Sequence, residues 1–243
     1  MATAIVTGAS RGIGKACALE LAKAGYDIVV NYVSNEQAAG EVVKEIEALG
    51  RKALAIQADT ADLKAVQAMF RTASKEFDSI DVLVNNAGVV DDKFLLMLPE
   101  DSLERSLDIN IKGYFHCAQN AALKMIRKKK GCIINVSSVS SVVAIPGQSV
   151  YSATKGAVNS MTATLAKELA QYGIRVNAVA PGFIKTDMID QIPEEQKEEH
   201  MKAVPLGRFA EAEEVGKVVC ALCSDAFAYV TGQTVIIDGG LSL

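Results

Sequence analysis

A short apolar run, Ala4 to Thr7, leads into Gly8-Ala9-Ser10-Arg11-Gly12-Ile13-Gly14 and then into a helix-forming stretch from Lys15 to Ala24. Strand, glycine turn and helix in immediate succession make the first half of a βαβ unit, so the next strand has to return parallel to the first. Glycines let the backbone turn tightly and approach a pyrophosphate, while the free N–H groups and positive dipole end of the helix receive negative charge. The spacing here is G-x-x-x-G-x-G rather than G-x-G-x-x-G. It acquires meaning from the strand before it and the helix after it.

The rhythm then repeats. Asp27 to Tyr32 is rich in β-formers, Glu36 to Leu49 reads as a helix stopped by Gly50, and Ala53 to Gln57, Leu63 to Phe77 and Val82 to Val84 continue the alternation. Such a pattern implies an α/β domain with a parallel sheet and helices on both faces. Asn85-Asn86-Ala87-Gly88 closes the fourth strand with amides able to bond neighbouring strand ends, and Gly88 leaves room for a ligand. A long helical pattern from Asp101 to Arg127 contains Asn110, whose amide competes for backbone groups, so a kink is expected there. Cys132 to Val136 is the fifth strand, Ile174 to Ala180 the sixth and Thr234 to Ile237 the seventh. Pro181 to about Phe209 breaks the rhythm with a charged, proline-containing insertion, read as a substrate lid over about 185–210 with a surface helix near Glu194 to Met201.

The chemistry concentrates at Tyr151-Ser152-Ala153-Thr154-Lys155, at the head of a helix running to about Tyr172. A phenol and an ammonium four residues apart share one helix face. A phenol titrates near ~10, so a neighbouring cation is what would make it a usable proton donor at neutral pH. Ser137-Ser138 ends the fifth strand, at the sheet edge where ligands of parallel sheets lie.

Composition narrows the class. The chain has 243 residues, is half hydrophobic and carries a net charge of -4, which supplies material for one core and gives no global attraction for nucleic acid. Met1-Ala2 enters a strand at once, leaving no room for a signal peptide, and no apolar run is long enough to span a bilayer, so a cytoplasmic protein is expected. Five cysteines are read as reduced, Cys220-x-x-Cys223 as small buried residues of a helix, and no metal site is proposed.

Taken in order, Thr7-Gly8-x-x-x-Gly12-x-Gly14, Asn85-Asn86-Ala87-Gly88, Asn110, Ser138, Tyr151-x-x-x-Lys155 and Pro181-Gly182 resemble the short-chain dehydrogenase/reductases. The resemblance runs from Thr3 to the C-terminus. Within that family, Ala180 to Met188, Pro205-x-Gly207-Arg208 and Thr231 to Gly240 look like the β-ketoacyl-carrier-protein reductases. The resemblance implies a single-domain Rossmann fold with a doubly wound seven-stranded parallel sheet in the order 3-2-1-4-5-6-7. It implies catalytic roles for Asn110, Ser138, Tyr151 and Lys155: Tyr151 protonates the carbonyl oxygen, Lys155 lowers the phenol pKa and holds the nicotinamide ribose, Ser138 bonds the substrate oxygen, and the Asn110 carbonyl holds a water leading to Lys155. Gly8, Ser10, Arg11, Gly12, Ile13, Gly14, Asn31, Asp59, Thr60, Asn86, Gly88, Ile184 and Thr186 would line the cofactor with Tyr151 and Lys155. Ser138, Gln148 and Tyr151 would face substrate.

NADP(H) is the expected cofactor. NAD-selective sites place Asp or Glu at the end of the second strand. That end here reads Val30-Asn31-Tyr32, Asp27 is at the wrong end, and Arg11 offers a cation suited to a 2′-phosphate. The resemblance further implies a homotetramer associating through its longest helices and last strand, and an acyl substrate borne on an acidic carrier protein. Arg127-Lys128-Lys129-Lys130 is the one dense basic cluster for such a carrier, just before the strand that delivers Ser138. A free ketone or alcohol, such as a hydroxysteroid or sugar, is the rival substrate, and a non-catalytic dinucleotide sensor the rival of another class.

Overall fold

The computed structural model describes residues 1–186 and 194–243. Strands β1 (Thr3–Val6), β2 (Asp27–Tyr32), β3 (Ala53–Gln57), β4 (Val82–Asn85), β5 (Gly131–Val136), β6 (Ile174–Pro181) and β9 (Thr234–Ile237) form one sheet in the order β3-β2-β1-β4-β5-β6-β9. Every pairing is parallel, with Ile5 beside both Val29 and Leu83, and Ile133 beside Val176. This is the expected order. The seventh strand of the sheet is the ninth of the chain because two short strands, β7 (Ile184–Lys185) and β8 (Ala210–Glu211), pair with each other first.

Alternation along the strands sends consecutive side chains to opposite faces. Ala4, Val6, Ile28, Val30, Val84 and Ile134 pack with Leu21 of α1 (Gly12–Lys23), Val42 and Ile46 of α2 (Glu36–Ala48) and Val215 and Val219 of α8 (Ala212–Cys223). Ile5, Val29, Leu83, Ile133 and Val176 pack on the other side with Met69 and Phe70 of α3 (Leu63–Glu76) and with Cys117 and Met125 of α5 (Gly113–Met125). Both faces are dry, as a parallel sheet requires. Cys223 joins the first of these clusters and Cys220 is half-buried against it, in keeping with the reading of that pair as small core residues.

The helical pattern from Asp101 to Arg127 is not one helix. It consists of α4 (Glu100–Leu107), a widened π turn over Asp108–Lys112 and α5. Asn110 lies in the widened turn, fully buried, and its amide turns outward from the helix: Oδ1 accepts from Val89 N at 2.9 Å and Nδ2 donates to Val89 O at 2.9 Å. The competition expected of this amide is therefore resolved in favour of the loop after β4. One-turn π bulges of this kind recur at functional sites.

Of the lid segment, residues 187–193 lie outside the described residues. Helix α7 (Glu194–Ala203) stands where a surface helix is expected, and the β7–β8 pair joins the two ends of the segment. Phe183 stacks on His200 with ring centroids 4.6 Å apart and leans on Phe209 at 5.6 Å. The insertion is thus anchored by rings at its base.

Candidate active site

The glycine turn is held from below. Thr7 Oγ1 accepts from Asn86 N at 2.9 Å and Ala87 N at 3.0 Å, and Asn86 Nδ2 donates to Thr7 O at 2.9 Å and Gly8 O at 3.1 Å. The two amides at the end of β4 therefore do bond neighbouring strand ends, Asn85 reaching across to Asn135 Oδ1 at 3.0 Å. A Cβ on Gly14 would collide with the Gly8 carbonyl and with Asn86 Nδ2, so only glycine permits this approach of helix to strand. Gly12 faces Thr186 across the opening, with Thr186 Cγ2 3.5 Å from where a Cβ would stand. Ser10 is half-buried in the turn, Arg11 is exposed at the N-cap of α1, and Ile13, half-buried, packs against the core.

Asn31 is placed differently from the expectation. It is fully buried; its Oδ1 accepts from Gly8 N at 3.2 Å while Nδ2 donates to Ala58 O at 2.9 Å and Ile56 O at 3.3 Å. The strand ends bring unpaired backbone groups into a dry place, and the amide satisfies them rather than facing a ligand. Asp59 is exposed, its carboxylate accepting from Ala61 N at 2.9 Å, and Thr60 is buried, its carbonyl 3.0 Å from His116 Nδ1. Ile184 is buried and Thr186 half-buried at the far wall.

Ser138 stands two residues past the end of β5, its Oγ accepting from Ser140 N at 3.2 Å. Helix α6 (Ser149–Leu169) carries Tyr151 and Lys155 on the face turned to that strand. Ser138 lies close enough to act on the Tyr151 phenol, and Lys155 Nζ lies 5.6 Å from the Tyr151 ring centroid. Asn110 reaches the same helix through Thr154 Oγ1, at 3.2 Å. Gly88 borders both: a Cβ there would stand 3.2 Å from Asn110 Oδ1 and 3.7 Å from Lys155 Nζ. Gln148, the residue before α6, donates to Asp92 at 3.0 Å and so ties the loop after β4 to the head of the helix.

The electrostatics differ from the simple Tyr/Lys picture. Burial pushes the Tyr151 phenol up to about 12, the nearby Ser138 hydroxyl opposes this, and Asp92 adds to it. Burial pushes Lys155 down to about 7. Its ammonium donates to Val136 O at 2.8 Å and to the Tyr114 hydroxyl at 3.1 Å instead of to Tyr151. Sequence reasoning misses Tyr114. The available signal is its spacing, four residues after Asn110 on one helical path.

The basic cluster needs a correction. Arg127 to Lys130 are exposed at the end of α5, before the amino end of β5, whereas Ser138 follows its carboxyl end. A six-residue strand spans about 20 Å. Adjacency in sequence hid the fact that the strand carries Ser138 to the opposite edge of the sheet. Lys128 and Lys130 lie near Asp81 and Asp225 there, at 3.8 and 3.9 Å.

Comparison with known proteins agrees with this geometry. The family model described as enoyl-(acyl carrier protein) reductase matches residues 8–242. The 3-oxoacyl-(acyl-carrier-protein) reductase FabG of Staphylococcus aureus is 46% identical over 239 residues, covering 98% of this chain and 97% of that protein. The 3-oxoacyl-(acyl-carrier-protein) reductase of a Synechocystis species is also 46% identical, over 98% of this chain and 96% of its own. Among solved structures, acetoin dehydrogenase of Enterobacter cloacae superposes with a TM-score of 0.90 at 42% identity, covering 98% of this chain and 94% of that one. A mutant short-chain dehydrogenase/reductase of Serratia marcescens gives 0.94 at 34%, over 99% and 98%. With a glycine turn under a buried clamp, a serine, tyrosine and lysine at the strand edge, and relatives matched over nearly their whole length, the chain belongs to the short-chain dehydrogenase/reductase family.

Proposed function

We propose that this chain reduces the keto group of a 3-oxoacyl thioester, borne on an acyl carrier protein, to the 3-hydroxyacyl thioester in fatty acid biosynthesis, with NADPH as reductant. The observation that carries the chemistry is the meeting of Ser138, Tyr151 and Lys155 at the carboxyl end of β5, beside the glycine turn. The names of the relatives supply the substrate class.

The residues present fit a nicotinamide dinucleotide, since the turn from Gly8 to Gly12, both at positive φ, ends at the first turn of α1, where free backbone N–H groups can receive phosphate. Bound NADPH supplies the hydride. Gly8 to Gly14 and Arg11 would hold its phosphates, Asp59 and Thr60 its adenine, and Ile184 and Thr186 its carboxamide. Ser138 positions the keto oxygen. Tyr151, kept protonated by burial, gives its proton to that oxygen as it gains charge, a transfer favoured because an alkoxide is more basic than a phenolate. Lys155, when charged, lies near enough to the ring to stabilise the phenolate that remains. Preference for NADPH over NADH rests on residues 31–35, which contain no Asp or Glu, and on Asp27 being engaged by Arg51 at 2.7 Å.

The resemblance to acetoin dehydrogenase favours a second reading, oxidoreduction of a small free hydroxyketone. Steady-state NADPH oxidation with acetoacetyl thioesters, carrier-linked and free, set against acetoin and other ketones separates the two. The thioester reading expects kcat/KM at least about tenfold higher for the thioesters, or ~1.4 kcal/mol of transition-state preference, and a similar margin over NADH. Faster turnover of acetoin would replace it with the second reading, and equal use of NADH would withdraw the cofactor preference.

The functional unit is proposed to be a homotetramer. A groove of about 360 Å³ between α5 and α6 is lined by Phe115, Ala122, Leu123, Leu165 and Leu169, with Phe115 and Leu123 exposed. β9 is an edge strand, and Ile236 within it and Leu243 after it are exposed. Both surfaces suit association of copies. Light scattering at micromolar concentration should give four times the 25.7 kDa chain mass, and a monomeric mass would refute it.

A further inference from the structure

Tyr114 is among the largest fully buried side chains of the molecule, and nothing in the proposed reaction uses it. Its hydroxyl donates to Val136 O at 2.8 Å and accepts from Lys155 Nζ at 3.1 Å, while Nζ itself donates to Val136 O at 2.8 Å. Phenol, ammonium and carbonyl therefore close a triangle. The Tyr114 ring also faces the ammonium, 5.0 Å from Nζ to centroid.

The surroundings make that hydroxyl matter. Lys155 is faced by Tyr151 from its own helix, Tyr114 from α5, the Val136 carbonyl from β5 and Gly88 from the loop after β4. Among the described residues no carboxylate pairs with it; Asp92 acts on Tyr151. Burial is what disfavours the charge, and two oxygens oppose it. An acceptor of this kind bonds an ammonium more strongly than a neutral amine, so it favours the charged form. Tyr114 is no proton route, because its own hydrogen is committed to Val136 O in a buried place.

We propose that Tyr114 is a positioning residue that keeps Lys155 protonated and held at the Val136 carbonyl, and through Lys155 sets the pH range in which Tyr151 works. The catalytic half of this statement rests on the ketoreductase reading; the hold on Lys155 does not.

The test is Tyr114→Phe, which keeps the ring and removes only the oxygen, with Tyr114→Met as a second variant lacking the ring as well. NMR titration of ¹³C-labelled lysine Cε in the full chain without substrate, with the Lys155 signal identified by its loss in Lys155→Met, reads the lysine directly. The expected result is a midpoint lowered by about one unit in Tyr114→Phe and by at least as much in Tyr114→Met. The alkaline fall of kcat on the thioester should move to lower pH by the same amount, with turnover recovering toward wild type in more acid solution. An unmoved lysine midpoint in either variant overturns the proposal. So does a shifted lysine with an unmoved kcat profile. A wild-type enzyme that turns over no thioester would instead remove the function reading, while the NMR result would still decide whether Tyr114 holds Lys155.

Discussion

Replacing Tyr151 by Phe lowers turnover by about 10²–10⁴-fold while leaving fold and dinucleotide affinity nearly unchanged, the range expected when a positioned acid is removed. The ring stays in its half-buried place on α6 and only the hydroxyl goes. Ser138 Oγ still accepts from Ser140 N at 3.2 Å, so no deeply buried polar atom is stranded. The loss should appear equally in kcat and kcat/KM, because the proton is delivered only in the transition state. Single-turnover kinetics with an acetoacetyl thioester, paired with fluorescence titration of NADPH, separates chemistry from binding. A variant within about tenfold of wild type would remove Tyr151 from the proposed role.

Lys155→Met should do two opposite things, ending turnover and raising stability. Lys155 titrates near 7 in the folded chain against an ordinary 10.5, because burial disfavours its charge. Between those values the unfolded chain binds more protons than the folded one, so this group's contribution to stability rises with pH from about 7 to 10.5. Its penalty is complete below that window and gone above it. The shift corresponds to at most ~5 kcal/mol, at ~1.4 kcal/mol per unit. Lost hydrogen bonds offset part of that, although Val136 O keeps the Tyr114 hydroxyl as donor. Met fills a similar volume without a charge. A net gain of ~1–3 kcal/mol at pH 6–7, about 2–8 °C in Tm for a chain of this size, is the expected outcome, shrinking toward pH 10. Melting curves of wild type and variant at equal protein concentration across that range provide the check. A variant that melts lower at pH 7 would show that Lys155 is a stabilising residue and contradict the argument.

Several contacts of the candidate site were legible in the sequence. Ser138 could be set at the ligand edge because it follows the carboxyl end of a strand of a parallel sheet, and the family resemblance paired it with Tyr151. The amides of Asn85 and Asn86 could be given their strand-end bonds for the same reason. Asn31 was misjudged because its position at a strand end was visible and its inward rotamer was not. The basic run at Arg127 to Lys130 was misplaced because neighbours in sequence can sit a strand's length apart in space.

By itself the sequence determined the architecture, since hydrophobic period, glycine placement and helix stops are local signals that a βαβ chain repeats at every unit. It also determined which residues could supply a proton, a charge and a phosphate cradle, because those depend on residue type and on spacing along one element. Only the tertiary structure decided what each charge experiences. The depression of Lys155, the elevation of Tyr151 and the triangle with Tyr114 and Val136 arise from groups on α5, α6 and β5. Desolvation depends on everything packed around a group, and no stretch of chain encodes that alone.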